Sequence, residues 1–176
     1  MQNTNEPSRE LYRVAETQGG YFTTKQAASL GYASNKRAYH VQSGNWLREH
    51  RGIYRLALFP EPERSDLILW WLWSRDRSDR PSGVYSHQTA LSLHELSDVN
   101  PSRLDMTVPA SFRRGVPVPG ILRIHYGHIS ESEQEALFDV PVTGVPGKFC
   151  TSGSETNWYG RSQEWREERG LQLSRS

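Results

Sequence analysis

Apolar positions in the first third of the chain recur at helical spacing in short bursts, each closed by glycine. Leu11, Val14 and Ala15 lie within Glu10 to Glu16, and Gly19-Gly20 ends that run. Thr23-Thr24 is a capping pair for a second helix over Lys25 to Leu30, stopped by Gly31. Ser34 is placed to cap a third, from about Asn35 to Ser43, stopped by Gly44. From Trp46 to Leu56 the pattern changes to two short extended pieces around a turn at Arg51-Gly52. Helix, helix, tight turn, helix and hairpin within one short segment is the layout of a winged helix-turn-helix.

Pro60-Glu61-Pro62 reads as a linker. Beyond it, Ser65 is expected to cap a helix running to about Arg75. Its stretch Leu67 to Trp73 is apolar on every face, which predicts a central buried helix or an interface. Ser86 is expected to cap another helix with Ala90, Leu91 and Leu93 as its apolar set. Leu104 to Val108, Leu122 to Tyr126 and Val140 to Val145 read as strands. The fold class expected is α+β: residues 1–60 a winged helix-turn-helix, residues 61–146 a small α+β domain, and residues 147–176 a tail. That tail has few large apolar residues and no consistent period, so loose packing is expected there.

Charge sharpens this division. The 176 residues carry a net charge of only +1, but residues 1–56 hold eight Lys/Arg against four acids. A basic first segment on a body of opposite sign points to a polyanion for the first segment. The longest unbroken apolar run, Leu67 to Trp73, is far short of the roughly 20 residues that cross a bilayer. The opening stretch Met1 to Arg9 is polar, and the expectation is a soluble, cytoplasmic protein with no membrane partner. The single cysteine, Cys150, excludes an internal disulfide framework and a thiolate zinc cluster.

The third helix carries Ser34, Asn35, Lys36, Arg37, Tyr39, His40 and Gln42, groups that fit base edges and phosphates in double-stranded DNA. Ala38 and Val41, three apart, are expected to face the domain core. The hairpin adds Arg48, His50, Arg51 and Arg55 for backbone or minor-groove contact.

These same residues carry a resemblance to a known family. Gly20-Tyr-Phe-Thr-Thr-Lys-Gln-Ala27, Gly31-Tyr32, Tyr39-His-Val41, Ser43-Gly44 and His50-Arg-Gly-Ile-Tyr-Arg-Leu56 resemble the N-terminal winged helix of AbiEi-type antitoxins. The similarity continues through Ser86-His-Gln-Thr-Ala-Leu-Ser-Leu-His94, Leu104-Asp-Met-Thr-Val-Pro109, His125-Tyr126 and Val140-Pro-Val-Thr143. After residue 147 the chain departs from the family pattern. The resemblance implies a repressor of its own promoter and the antitoxin of a type IV toxin–antitoxin system. The implied functional partner is a nucleotidyltransferase-like toxin, countered without a stable complex.

Catalytic signatures do not assemble, and the expectation is no enzyme, no cofactor and no metal. A restriction-type nuclease needs Asp/Glu-x-Lys, whereas Lys25, Lys36 and Lys148 follow Thr23, Ser34 and Pro146 by two. No phosphate-cradling glycine motif and no H-E-x-x-H occurs. Ser86 and His87 are chain neighbours at a helix start, a placement expected to point their side chains apart. His125 and His128 lack the third and fourth ligands a metal needs. Two other functions compete with the antitoxin: a winged-helix regulator with a sensing domain and no toxin, and an inactive remnant of a winged-helix–nuclease fusion.

Overall fold

The computed structural model describes residues 6–98 and 100–144. The first segment runs α1 (Glu6–Glu16), β1 (Tyr21–Thr23), α2 (Thr24–Ser29), α3 (Ser34–Gln42), β2 (Trp46–His50) and β3 (Ile53–Leu56). Its three strands form an antiparallel sheet in the order β1-β3-β2, so the hairpin folds back onto the short strand between α1 and α2. This is the expected winged helix-turn-helix layout plus a strand the pattern did not predict, because three residues carry no readable period.

The helices start where side chains can satisfy the free amides. Thr23 is the N-cap of α2 in a full capping box: its hydroxyl accepts from the Gln26 amide at 3.2 Å. In return the Gln26 side chain accepts from the Thr23 amide at 2.8 Å. Ser34 does not cap α3; the N-cap is Ala33, in extended conformation, and Ser34 is the first helical residue. Ser65 likewise stands inside α4 (Ser65–Trp73), whose N-cap is Arg64, and its hydroxyl donates to Glu61 at 2.9 Å. The helix ends at Trp73, two residues short of Arg75, where the Ser74 hydroxyl turns back onto the Trp71 carbonyl at 2.7 Å.

The second segment continues with β4 (Val84–Tyr85), α5 (His87–Leu93), β5 (Leu104–Val108), β6 (Leu122–Tyr126), a 3-10 turn at Glu131–Glu133, β7 (Gln134–Leu137) and β8 (Val140–Thr143). Its five strands order as β6-β5-β4-β8-β7, with β5–β6 and β4–β8 parallel and the other pairs antiparallel. The predicted strands at Leu104 and Leu122 fall on β5 and β6. The stretch expected to be a strand to Val145 ends at Thr143, and residues 147–176 lie outside the described residues. Ser86 is the N-cap of α5 by position, but its hydroxyl bonds to no helix amide.

Strand alternation decides how the two segments meet. On β1 and β3, Phe22 and Tyr54 point to one face and join Leu11, Ala15, Ala27, Tyr32 and Trp46 in the helix-turn-helix core. Tyr21 and Ile53 belong to the other core, with Leu67, Ile68, Leu72 and Trp73 of α4 and Met106 and Val142 of the second sheet. Helix α4 therefore packs against β1 and β3 on one side and β8 on the other. Its all-round apolar sequence follows from that central position. Gly19 and Gly20, at φ +59° and +87°, do more than end α1: a Cβ on Gly19 would meet Ile68 Cδ1 at 2.6 Å, and one on Gly20 would meet Phe59 Cδ1 at 2.6 Å.

A buried polar seam completes the joint. Arg75, 8% exposed, donates to the Gln18 side chain and the Asp79 carbonyl, and its guanidinium lies 3.5 Å from the Asp79 carboxylate. Asp79 also accepts from the Thr23 hydroxyl at 3.1 Å, tying the cap of α2 to the second segment. Arg75→Ala leaves Gln18 and Asp79 without their cation and is expected to cost about 2–4 kcal/mol. Urea unfolding followed by tryptophan fluorescence and far-ultraviolet circular dichroism checks this. One coincident transition is expected, shifted as a whole to lower urea.

Burial also pushes the Tyr21 and Tyr85 phenols up, Tyr85 well above the ordinary range, while its hydroxyl donates to the Leu67 carbonyl at 2.7 Å. A phenol raised in the folded state stabilises fully below the unfolded value of about 10, and that contribution is lost as pH rises beyond it. The urea midpoint is therefore expected to fall above about pH 10, and less steeply in Tyr85→Phe.

Candidate nucleic-acid interface

The third helix of the first segment, α3, has no fully buried residue and no acid in its sequence Ser34-Asn-Lys-Arg-Ala-Tyr-His-Val-Gln42. Ser34, Asn35, Lys36, Tyr39 and Gln42 are exposed, Tyr39 at 65%. The Asn35 carboxamide accepts from the Lys36 amide at 2.8 Å, which orients it at the helix start.

Arg37 and His40 are used differently. The Arg37 guanidinium reaches back to donate to the Tyr32 carbonyl at 2.6 Å, closing the turn between α2 and α3. The His40 ring stacks on Trp46, with centroids 4.6 Å apart and planes 14° apart, and packs edge-on to Tyr32. The inner face of α3 is therefore Arg37, His40 and Val41. Ala38, expected to face the core beside Val41, is exposed; only Val41 packs against the helix-turn-helix core. The longer His40 ring reaches the indole across a gap that an alanine methyl would leave open.

The hairpin sorts its cations by strand parity. Arg48 and Arg51 are exposed, with Arg51 at the tip beside Gly52 at φ +81°. The Gly52 carbonyl accepts from the Thr24 amide at 2.9 Å, so the wing tip is pinned to the start of α2. Arg55 pairs across the sheet with Tyr21 and so lies on the α4 face. Its side chain is 12% exposed, donates to Glu49 at 3.0 Å and lies 3.8 Å from Glu61. His50 pairs with Ile53 after a register shift, packs its ring edge-on to Trp70 of α4, and holds Nδ1 buried without a partner. The predicted set thus divides: Ser34, Asn35, Lys36, Tyr39, Gln42, Arg48 and Arg51 are presented outward, whereas Arg37, His40, His50 and Arg55 hold the module together.

Away from this surface, the structure corrects one expectation. Ser86 and His87 do not point apart: Ser86 Oγ lies 2.9 Å from His87 Nδ1. His87 has φ +51°, a left-handed start to α5 that folds its ring back over the hydroxyl. Ser86 is 3% exposed and its hydroxyl is shared with Thr107 at 2.8 Å. The His87 ring stacks on His125 at 3.9 Å, and His125 Nε2 lies 2.8 Å from the buried Asp105 carboxylate. Among the described residues, no three His, Cys, Asp or Glu side chains group as metal ligands.

The first segment is thus a helix-turn-helix with a wing pinned to its first helix and an acid-free third helix facing outward. Residues 9–57 match the family model described as "Transcriptional regulator, AbiEi antitoxin", so over this module the resemblance drawn from the residues is found independently. No curated protein matches the chain. No helix among the described residues is long and apolar enough to cross a membrane.

Replacing His40 with alanine removes a stacked ring pair and is expected to lower stability by about 0.5–1.5 kcal/mol. Lys36→Ala, altering an exposed side chain on the outer face of the same helix, is expected to leave the unfolding midpoint unchanged. Thermal melts of the two variants beside the parent protein check both.

Proposed function

We propose that this protein is a DNA-binding repressor of its own operon and the antitoxin of a type IV toxin–antitoxin system, acting in the cytoplasm without catalysis. The observation that carries the reading is the acid-free outer face of α3, beside a wing whose Arg48 and Arg51 are unburied. Asn35 and Gln42 are suited to adenine, and Lys36 to guanine or phosphate. Arg51 at the tip is suited to the backbone or minor groove. The boundary near residue 60 is functional in this reading: the first segment binds the promoter, and the second counters a nucleotidyltransferase-like toxin. The matched family description supports a regulator and antitoxin. The toxin, its mode of neutralisation and the promoter are inferences from the resemblance.

One observation favours the competing regulator with a sensing domain. A cleft of about 1100 Å³ opens between Trp71 of α4 and the ends of β4, β5 and β8, rimmed by His128 to Ser132. The co-expression test below separates the two readings, since a sensor without a toxin would protect nothing.

Arg51→Ala is expected to weaken binding to every duplex and to flatten the dependence of log K on log salt by about 0.9. Asn35→Ala is expected to relax the preference for the protein's own upstream sequence. Arg55→Ala is expected to change stability and leave the salt dependence alone. Fluorescence anisotropy over a salt series measures these, and growth on co-expression with a neighbouring nucleotidyltransferase-like gene tests protection. Absence of duplex binding by the full chain, or growth arrest despite its expression, overturns the corresponding half of the proposal.

A further inference from the structure

Between residues 57 and 144 the chain holds eight arginines against twelve acids, a net negative balance. That balance hides a separation. Arg75, Arg77, Arg80, Arg113 and Arg114 lie in two loops, after α4 and after β5, while nine of the twelve acids lie within Glu61 to Asp66 and Asp98 to Asp139. The two loops meet at one cleft of about 410 Å³, lined by Lys25, Arg75, Arg77, Arg113 and Arg114 with a single acid, Asp76. Lys25 comes from α2, the first helix of the helix-turn-helix pair.

Apart from Arg75, which pairs with Asp79, the cations of this cleft are not neutralised. Lys25 Nζ donates to the Arg77 carbonyl at 2.8 Å, a contact that joins the loop to α2. The Asp76 carboxylate is engaged by the Ser78 and Arg80 amides at 2.8 and 3.0 Å, a tight turn that projects the exposed Arg77 side chain outward. Arg113 donates to the carbonyls of Ala110 and Phe112, both at 2.7 Å. Arg114 donates to the Arg75 carbonyl at 2.7 Å and lies over the Trp73 ring at 5.1 Å. Among the described residues, none of Lys25, Arg77, Arg113 and Arg114 has a carboxylate within ion-pair distance.

We infer that this cleft is a second phosphate-binding surface, contributed mostly by the second segment, along which the backbone of duplex DNA continues from the winged helix. The inference rests on the DNA-binding reading above. Its physical basis is continuity. The Arg51-Gly52 wing tip is bonded to Thr24, Lys25 follows on the same helix, and Lys25 is bonded to the Arg77 loop. In helix-turn-helix complexes the first helix crosses the DNA backbone, which would bring phosphates toward Lys25 and the loop next to it. Contacts of this kind position the protein without reading sequence.

The test uses the full chain and a labelled mixed-sequence duplex of about three helical turns, ~30 base pairs. The Arg77→Gln/Arg113→Gln double variant is expected to flatten the log K versus log salt slope by about 1.8, two phosphate contacts' worth. The loss should be equal on mixed sequence and on the protein's own upstream sequence. The Arg77→Lys/Arg113→Lys variant, which keeps charge, should retain most of the slope. A slope unchanged by the Gln pair, while Arg51→Ala still reduces it, overturns this inference and leaves the winged-helix reading standing. A loss confined to single-stranded RNA of the same sequence also overturns it. Failure of the parent protein to bind duplex at any salt removes both readings together.

Discussion

The structure depends on one helix that is apolar on every side from Leu67 to Trp73 and lies between two sheets. Leu67, Ile68, Leu72 and Trp73 of α4 are buried between the three-stranded sheet of the winged helix and the five-stranded sheet that follows. An α-helix with apolar residues on every side can be stable only if both sides are covered. The two sheets are what cover it. The polar seam then fixes how they sit: Arg75 reaches Gln18 just after α1, and Asp79 reaches Thr23 at the cap of α2. Apolar burial along α4 is large and tolerant of sliding, whereas a buried guanidinium finds its acceptors in one arrangement only. A buried charge network of this kind contributes more to that specificity than to net stability.

This packing explains which cations of the hairpin remain available. A two-residue period sends Ile53 and Arg55 to the same face of β3, and α4 already occupies that face. Arg55 is consequently drawn into ion pairs with Glu49 and Glu61, and His50 is turned onto Trp70. Arg48 and Arg51 escape because one lies across the sheet and the other at the tip. The same logic holds on α3. The side that must close on Trp46 and Tyr32 takes His40 and Arg37, leaving Asn35, Lys36, Tyr39 and Gln42 outward. The outward-facing cations are what remains of the basic residues after the fold has engaged its share.

Much of this was legible in the sequence, for physical reasons that also mark where legibility stops. Glycines follow each of the first three helices, Thr23 caps α2 as its chemistry requires, and β2, β3, β5 and β6 follow from runs of extended-type residues. The strands β1 and β4, three and two residues long, are too short to show a period and exist only through their partners. The Ser34 and Ser65 caps failed because both helices begin one residue earlier, with Ala33, in extended backbone, and Arg64 at the N-cap positions. The division of the candidate site was missed because it needs to be known which sheet face α4 covers. One signal was present: Ile53, Arg55 and Tyr21 share a parity once β1 is paired with β3. The net charge of the second segment averages over a surface and conceals a local cluster, since Lys25, Arg77 and Arg113 line one cleft.

The Ser86 to His94 and Leu104 to Pro109 motifs, which carried part of the family resemblance, turn out to meet one another. The Ser86 amide donates to the Asp105 carbonyl at 3.0 Å, and its hydroxyl reaches Thr107 at 2.8 Å. The Asp105 amide in turn donates to the Thr89 hydroxyl at 2.8 Å. On the neighbouring strand, Arg123 and His125 stand opposite Asp105 and Thr107 in parallel register, and both approach the Asp105 carboxylate. A shift of one residue would turn Asp105 toward the face that holds Met106 and Val108, where a carboxylate has no partner. The left-handed start at His87 has the same effect from the helix side, since it brings the ring onto His125. The residue types resemble those of a catalytic cluster, yet each polar atom named here is directed at another atom of the scaffold. Their shared result is a single register for β5 and β6. Phe112 packs beside Trp73 at the far end of β5, so that register also sets where the Arg113-Arg114 loop emerges.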